Sequence, residues 1–267
     1  MGALTALDTE LRAVPGTVSV WCAPLRARRP RYARAEHAIH YAASTMKVAV
    51  LAAASRAHAA GTLDLDARVP VTDVFASAAP GAPDFRLAHA PDDDPAPWNR
   101  LGGTAPLRWL AERMIVRSSN LATNIVLAHV GLDAADREWA LAGARHSRIG
   151  RAIEDGAARV AGITNEVTAA DLAALLTAVV TGPDPWPRAT LEAQEHRDDL
   201  AAGLPRGTRI AHKSGWVTGV RHGAGIVYPP GGSPYLLVVC TTTTLPGTAA
   251  RALLARVAAA SWADLVQ

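Results

Sequence analysis

Strand-forming residues are confined to the two ends of this chain of 267 residues, so any sheet must bring those ends together. Thr17 to Ala23 alternates β-branched and apolar residues, and Tyr32 to His37 offers a weaker second run. Strand patterning then stops until Arg209 to Lys213, Gly223 to Tyr228 and Tyr235 to Thr242, where Pro229-Pro230-Gly231-Gly232 turns the last two. Leu4, Leu7, Leu11 and Val14 recur at helical spacing before Pro15-Gly16, and Leu253, Leu254, Val257, Trp262 and Leu265 do so at the other end. The expectation is an α+β fold: an antiparallel sheet of about five strands flanked by N- and C-terminal helices, with an all-helical subdomain inserted between early and late strands. Residues 1–40 and 205–267 would form the sheet subdomain and residues 41–204 the helical one, with a cleft between them.

The insertion begins with Ala42 to Val50, which reads as the first turns of a buried helix with Ser44 at its N-cap or first turn. Lys47 follows three residues later, on the same face. A helix N-terminus favours developing negative charge, and a desolvated lysine can surrender its proton, so the pair suits a hydroxyl nucleophile and its base. Of 27 Lys plus Arg residues only Lys47 and Lys213 are lysine. Arginine keeps its proton at any useful pH, so proton transfer is a task that would preserve lysine here.

Further along, Ser77 to Gly103 is irregular, with Pro80, Pro83, Pro95, Pro97 and the acidic triplet Asp92-Asp93-Asp94, which reads as solvated. Thr104 would cap a helix with Pro106 in its first turn. Ser118-Ser119-Asn120 would open a helix running to Val130, and Asp133 to Ala142 another. Arg145 to Asn165 reads as loop, Thr168 as the cap of a helix through Val180, and Pro187 to Leu200 as one more helix.

Hydrophobic residues make up 49% and charged residues 19%, which marks a folded chain. The net charge of +3 comes from scattered arginines. Arg26, Arg28, Arg29, Arg31 and Arg34 lack aromatic interleaving beyond Tyr32 and read as a solvated edge, so no nucleic-acid partner is expected. No run of 18 apolar residues suggests a membrane span, and Met1 to Val14 lacks the features of a signal peptide. The expected location is cytoplasmic as written, or periplasmic or secreted if a leader has been removed. Two cysteines and no His-Glu-x-x-His pattern leave no expected metal or cofactor. His37 and His40 read as surface residues.

Three short signals follow one another: Ser44-x-x-Lys47, Ser118-Ser119-Asn120 and Lys213-Ser214-Gly215, the second heading a helix and the third ending a strand. Together with Asn124 and the run Gly219 to Gly225, this order resembles the serine β-lactamase and penicillin-binding protein superfamily, and most of all the class A β-lactamases and related serine hydrolases. The resemblance implies that Ser44 is acylated and Lys47 accepts its proton. It makes the backbone N–H groups of Ser44 and Trp216 the oxyanion hole, and has Ser118 pass a proton to the leaving nitrogen with help from Lys213. Asn120 would bind the substrate's amide side chain, and Ser214 with Arg221 a substrate carboxylate. Read singly, Ser118 could equally be a helix cap, Asn120 a surface residue and Arg221 a loop charge.

The family also keeps a loop glutamate that activates the deacylating water, and Glu154 stands about where it is expected. Arg151-Ala-Ile-Glu154-Asp155-Gly-Ala departs from the family's Glu-Pro-Glu-Leu-Asn, and the loop looks shortened by about two residues. Ala158 falls near the place of the missing asparagine. Glu154, Asp155 or neither therefore remains open as the base. Ser119 replaces a common aspartate, and Trp216 is bulky for its position. Cys22 and Cys240 fall in strands the fold would pair, and are expected as two reduced, buried thiols.

The leading reading is a monomeric serine acyl-hydrolase opening a small-molecule β-lactam or related cyclic amide or ester that carries a carboxylate. The alternatives are a hydrolase of another amide or ester in small-molecule metabolism, and a β-lactam-binding sensor that stays acylated.

Overall fold

A computed structural model describes residues 2–27, 29–90 and 92–266; Arg28 of the basic cluster lies outside the described residues. The chain opens with helix α1 (Ala3–Ala13), strand β1 (Gly16–Pro24) and the short β2 (Tyr32–Arg34). Helices α2 (Lys47–Ala59), α3 (Leu107–Val116), α4 (Asn120–Val130), α5 (Leu132–Leu141) and α6 (Ala169–Thr181) fill the middle. Strands β3 (Arg209–Val217), β4 (Val220–Tyr228) and β5 (Tyr235–Thr243) and helix α7 (Gly247–Leu265) complete it. The five strands form one antiparallel sheet in the order β3-β4-β5-β1-β2, so the last strand pairs with the first, as the patterning requires.

Alternation along the strands feeds two separate cores. Val18, Val20, Cys22, Leu237 and Val239 face α1 and α7, packing on Leu4, Leu11, Leu253, Leu254 and Val257. Ala211, Ala224, Ile226, Leu236, Val238 and Cys240 face the helical middle. The two free cysteines therefore sit buried on neighbouring strands but on opposite faces of the sheet, out of bonding reach. Burial pushes the Cys240 thiol far above its ordinary range and the Cys22 thiol up to about 12.

Helix α2 is buried along nearly its whole circumference, which explains its run of alanine and valine: it packs among α3, α4, α5 and α6. Several local expectations differ. Residues Thr104–Pro106 form a strand with Arg68–Pro70, so α3 starts after Pro106 and Thr104 caps nothing. The helix expected over Pro187 to Leu200 stops at Glu192. His40 is buried, its ring nitrogens 2.9 Å from Ser19 Oγ and 2.8 Å from Thr242 Oγ1.

Candidate active site

Ser44 lies in a 3-10 turn (Ala43–Met46) ahead of α2, half-buried, and is not the helix cap: Ala42 occupies that position and no side chain caps the turn. One turn on, Lys47 is fully buried at the start of α2. It donates to Ser118 O at 2.6 Å, Asn120 Oδ1 at 3.0 Å and Ser118 Oγ at 3.2 Å. From the sheet, Lys213, also fully buried, donates to the same Ser118 Oγ at 3.0 Å and to Ser214 O at 2.8 Å. The chain's two lysines thus converge on one hydroxyl, that of Ser118. With both amines donating to its oxygen, the Ser118 proton is left to point elsewhere.

Burial lowers Lys47 to about 7, against weaker opposition from Asp92, Asp93 and Glu154. Burial, and then the nearby Lys47 amine, hold Lys213 well below its ordinary value. Two amines joined through one hydroxyl titrate as a coupled pair. A lysine poised near neutrality can take up a proton that an ordinary lysine cannot.

Strand β3 passes against the Ser44 turn. A Cβ on Gly215 would lie 2.9 Å from Ser44 N and 3.0 Å from Thr45 N, so only glycine permits this approach. Thr218 and Gly219 make a two-residue turn, with Val217 and Val220 as the closing pair. In an antiparallel ladder the next pair, Trp216 and Arg221, then turns its backbone groups outward. The Trp216 N–H accordingly turns toward the free edge of β3.

Asp92 is not solvated. Its Oδ2 accepts from Ser119 Oγ (3.1 Å), Asn120 N (3.0 Å), Leu121 N (2.9 Å) and Trp98 Nε1 (2.9 Å), capping α4 from another segment. Asp94 is buried against Arg113, and only Asp93 is exposed. The turn that this carboxylate holds is strained: Ser118 has a φ of 58°, a region L-residues rarely enter.

A cleft of about 520 Å³ is lined by Tyr41, Ser44, Asn120, Arg151, Ile153, Glu154, Arg159 and Trp216, among others. Glu154, also at positive φ (62°), is exposed and accepts from Ala88 N at only 3.4 Å; partial desolvation where it lines the cleft raises its pKa. Its backbone is placed by Asn124, whose amide group accepts from Ile153 N at 2.9 Å and donates to Ile153 O at 3.0 Å. Asp155 is fully buried and already accepts from Ser77 Oγ, Ala78 N and Ala158 N, capping the short helix Gly156–Val160. Fully buried and holding three donors, it braces the loop against the distant segment of Ser77 and Ala78.

Arg221 does not present a free fork to the cleft. Its guanidinium is paired with buried Asp199 at 2.5 and 3.0 Å, lies 3.6 Å from Asp198, and is covered by the Trp216 ring, whose centroid is 5.3 Å away. Asp199 thus engages Nε and Nη2, and the carboxylate contact expected of Arg221 would fall to Nη1. Ser214 Oγ is buried without a hydrogen-bond partner among the described residues.

The family model described as "Beta-lactamase enzyme family" matches residues 3–265. The chain belongs to that family. Among solved structures, a β-lactamase from Xanthomonas campestris is 24% identical, with a TM-score of 0.83 over 99% of this chain and 97% of its own. One from Sphaerobacter thermophilus is 23% identical (0.80, 97% and 95%), and the protein PBP-A is 21% identical (0.79, 97% and 94%). At these identities the neighbours establish the fold. No curated protein matches the sequence.

Within this β-lactamase-family site, Asp92 and Asn124 were not among the residues singled out as functional. Asp92 had one available signal: Ser119 stands where an aspartate is common, so a capping carboxylate had to come from elsewhere. His222 is a third. Its Nδ1 accepts from Thr241 N (3.1 Å), so its Nε2 carries the hydrogen bonded to Tyr41 O at 2.8 Å, tying β4 to the segment before Ser44. Burial lowers it to about 4, which keeps it neutral.

Proposed function

We propose that this protein is a serine acyl-hydrolase of the class A β-lactamase type, working in the cleft between a sheet subdomain (1–40, 205–267) and a helical subdomain (41–204). The observation that carries the reading is the convergence on Ser118 Oγ of Lys213 and of Lys47, which stands three residues after Ser44.

Ser44 Oγ attacks the carbonyl carbon of a β-lactam or related cyclic amide or ester. Its proton passes to Lys47, which is partly neutral near pH 7. Negative charge on the carbonyl oxygen is met by the backbone N–H groups of Ser44 and Trp216. As the carbon–nitrogen bond breaks, Ser118 gives its proton to nitrogen and is resupplied by the lysine pair. Asn120 orients the acyl amide, and Ser214 donates its unpaired hydroxyl to the leaving half. Glu154 then takes a proton from water as the water oxygen bonds to the acyl carbon, the bond from that carbon to Ser44 Oγ breaks, and Ser44 recovers the proton from Glu154.

A second reading is favoured by the weak hold on Glu154: an acylated binding protein that releases product slowly. A single-site mutant of PBP-A is the subject of a solved acyl-enzyme complex with penicillin G. Intact-mass measurement with benzylpenicillin separates the readings. Turnover with a transient adduct, lost in Ser44→Ala, supports hydrolysis; a lasting adduct at one site supports the binding protein. An adduct that survives Ser44→Ala contradicts both.

A further inference from the structure

Four donors meet on a single oxygen, Asp92 Oδ2: Ser119 Oγ, Asn120 N and Leu121 N at the head of α4, and Trp98 Nε1 from its own segment. Ser119 Oγ accepts in turn from Ala122 N, and Ser119 O from Thr123 N, both at 3.2 Å. The first four N–H groups of α4 are thereby satisfied, two of them by Asp92 alone.

That oxygen is itself anchored. Buried Asp94 pairs through both its oxygens with Arg113 of α3, and its N–H donates to Asp92 Oδ1 at 3.2 Å. Ser119 N donates to Arg113 O, also at 3.2 Å. Asp92 and Asp94 therefore clip α4 and α3 together across the turn that joins them. Inside this turn Ser118 is kept at a φ of 58°, and Lys47 bonds to Ser118 O, Ser118 Oγ and Asn120 Oδ1. Lys213 reaches the same Ser118 Oγ. Taking away the acceptor of two helix-end N–H groups lets a strained turn relax, and with it the place of Ser118 Oγ between the amines.

We propose that Asp92 is a positioning residue for acylation: acting through the Ser118 turn, it holds Ser118 Oγ and the Asn120 side chain where the reaction needs them. This rests on the acylation chemistry assigned to Ser44. Charge and geometry pull in opposite directions here. Burial lowers Lys47, and the Asp92 carboxylate opposes that by favouring the charged amine. Loss of the carboxylate's charge alone would therefore leave more neutral lysine and speed a lysine-dependent step near neutrality. A slower step on its removal reports lost position.

The test is a double-mutant cycle on Asp92→Ala and Ser119→Asp, reading acylation and release rates with benzylpenicillin together with Tm, each variant being assayed well below its own melting. Asp92→Ala should slow acylation about a hundredfold and release far less. Ser119 Oγ lies 3.1 Å from Asp92 Oδ2, and aspartate is a strong helix cap, so the double variant returns a carboxylate to the head of α4. It should recover about tenfold of the lost acylation rate. With Asp92 present, Ser119→Asp sets two carboxylates against one helix end and should slow acylation instead. The sign of the Ser119→Asp effect thus reverses with residue 92. A cap that serves stability alone would lower Tm and leave both rates in the folded protein unchanged. That result, or a Ser119→Asp that slows acylation equally in both backgrounds, overturns the proposal. Failure of benzylpenicillin to acylate the unaltered protein would instead remove the reading beneath it, and the positioning role with it.

Discussion

The two walls of the cleft are held by opposite means. On the wall proposed to acylate, Lys47, Lys213 and Ser118 are buried and cross-linked by hydrogen bonds, with Asp92 bracing the turn from behind. On the release wall, Glu154 is exposed on a positive-φ loop residue, with one long bond to Ala88 N and its backbone held by Asn124. A wall built from buried, desolvated groups sets pKa values; a wall held through one neighbour sets only position. Acylation should therefore resist perturbation of the loop, while release should be sensitive to it.

The comparison breaks most sharply at its two reactive atoms. Ser44→Ala should cost at least ~10³-fold in turnover and remove any adduct, read by intact mass. Glu154→Gln should slow release by ~10²-fold or more while leaving acylation within a few-fold, so that the adduct accumulates in a stopped-flow burst. Normal turnover by that variant would erase the distinction between the walls. Asn124→Ala, which frees Ile153, should slow release by ~10-fold and acylation far less. Equal losses in both steps would show that Asn124 serves both walls.

Behind the acylation wall, Gly215→Ala would drive a methyl into Ser44 N and Thr45 N, for a loss of about 1–3 kcal/mol in chemical denaturation and slower acylation. The smallest effect concerns pH and stability. Burial lowers His40 and His222 to about 4 and His212 to about 3, so all three rings are neutral in the folded protein. The unfolded chain binds protons on them below about 6.5, and the folded one does not. Stability should thus fall as pH drops from about 6.5 toward 4, by on the order of 1 kcal/mol per ring at pH 6, seen as a falling Tm.

What the sequence disclosed follows the same division. Period-two patterning placed β1, β3, β4 and β5 in one sheet because alternating residues feed two buried faces. The motif residues were legible because Ser44, Lys47, Ser118 and Lys213 stand in short runs at the ends of elements. Asp92 was hidden because its partners at Ser119, Asn120 and Leu121 lie nearly thirty residues away, and an acidic triplet between prolines looks solvated. The pairing of Arg221 with Asp199 was illegible for a like reason: nothing local to the hairpin announces a carboxylate 22 residues earlier. Asp155 reads as a rival base in the sequence because nothing near it announces Ser77 and Ala78, which donate to it from a distant loop.

The account turns on Lys47 being the base of acylation, and the pH dependence of the single-turnover acylation rate in Glu154→Gln tests that most directly. Because the neutral amine is the active form, the rate should rise as pH passes through about 7. Asp92 favours the charged amine, so Asp92→Asn should move this rise to lower pH. A rate that is flat from pH 5 to 9, or that rises only near 10, would contradict a desolvated lysine taking the serine's proton.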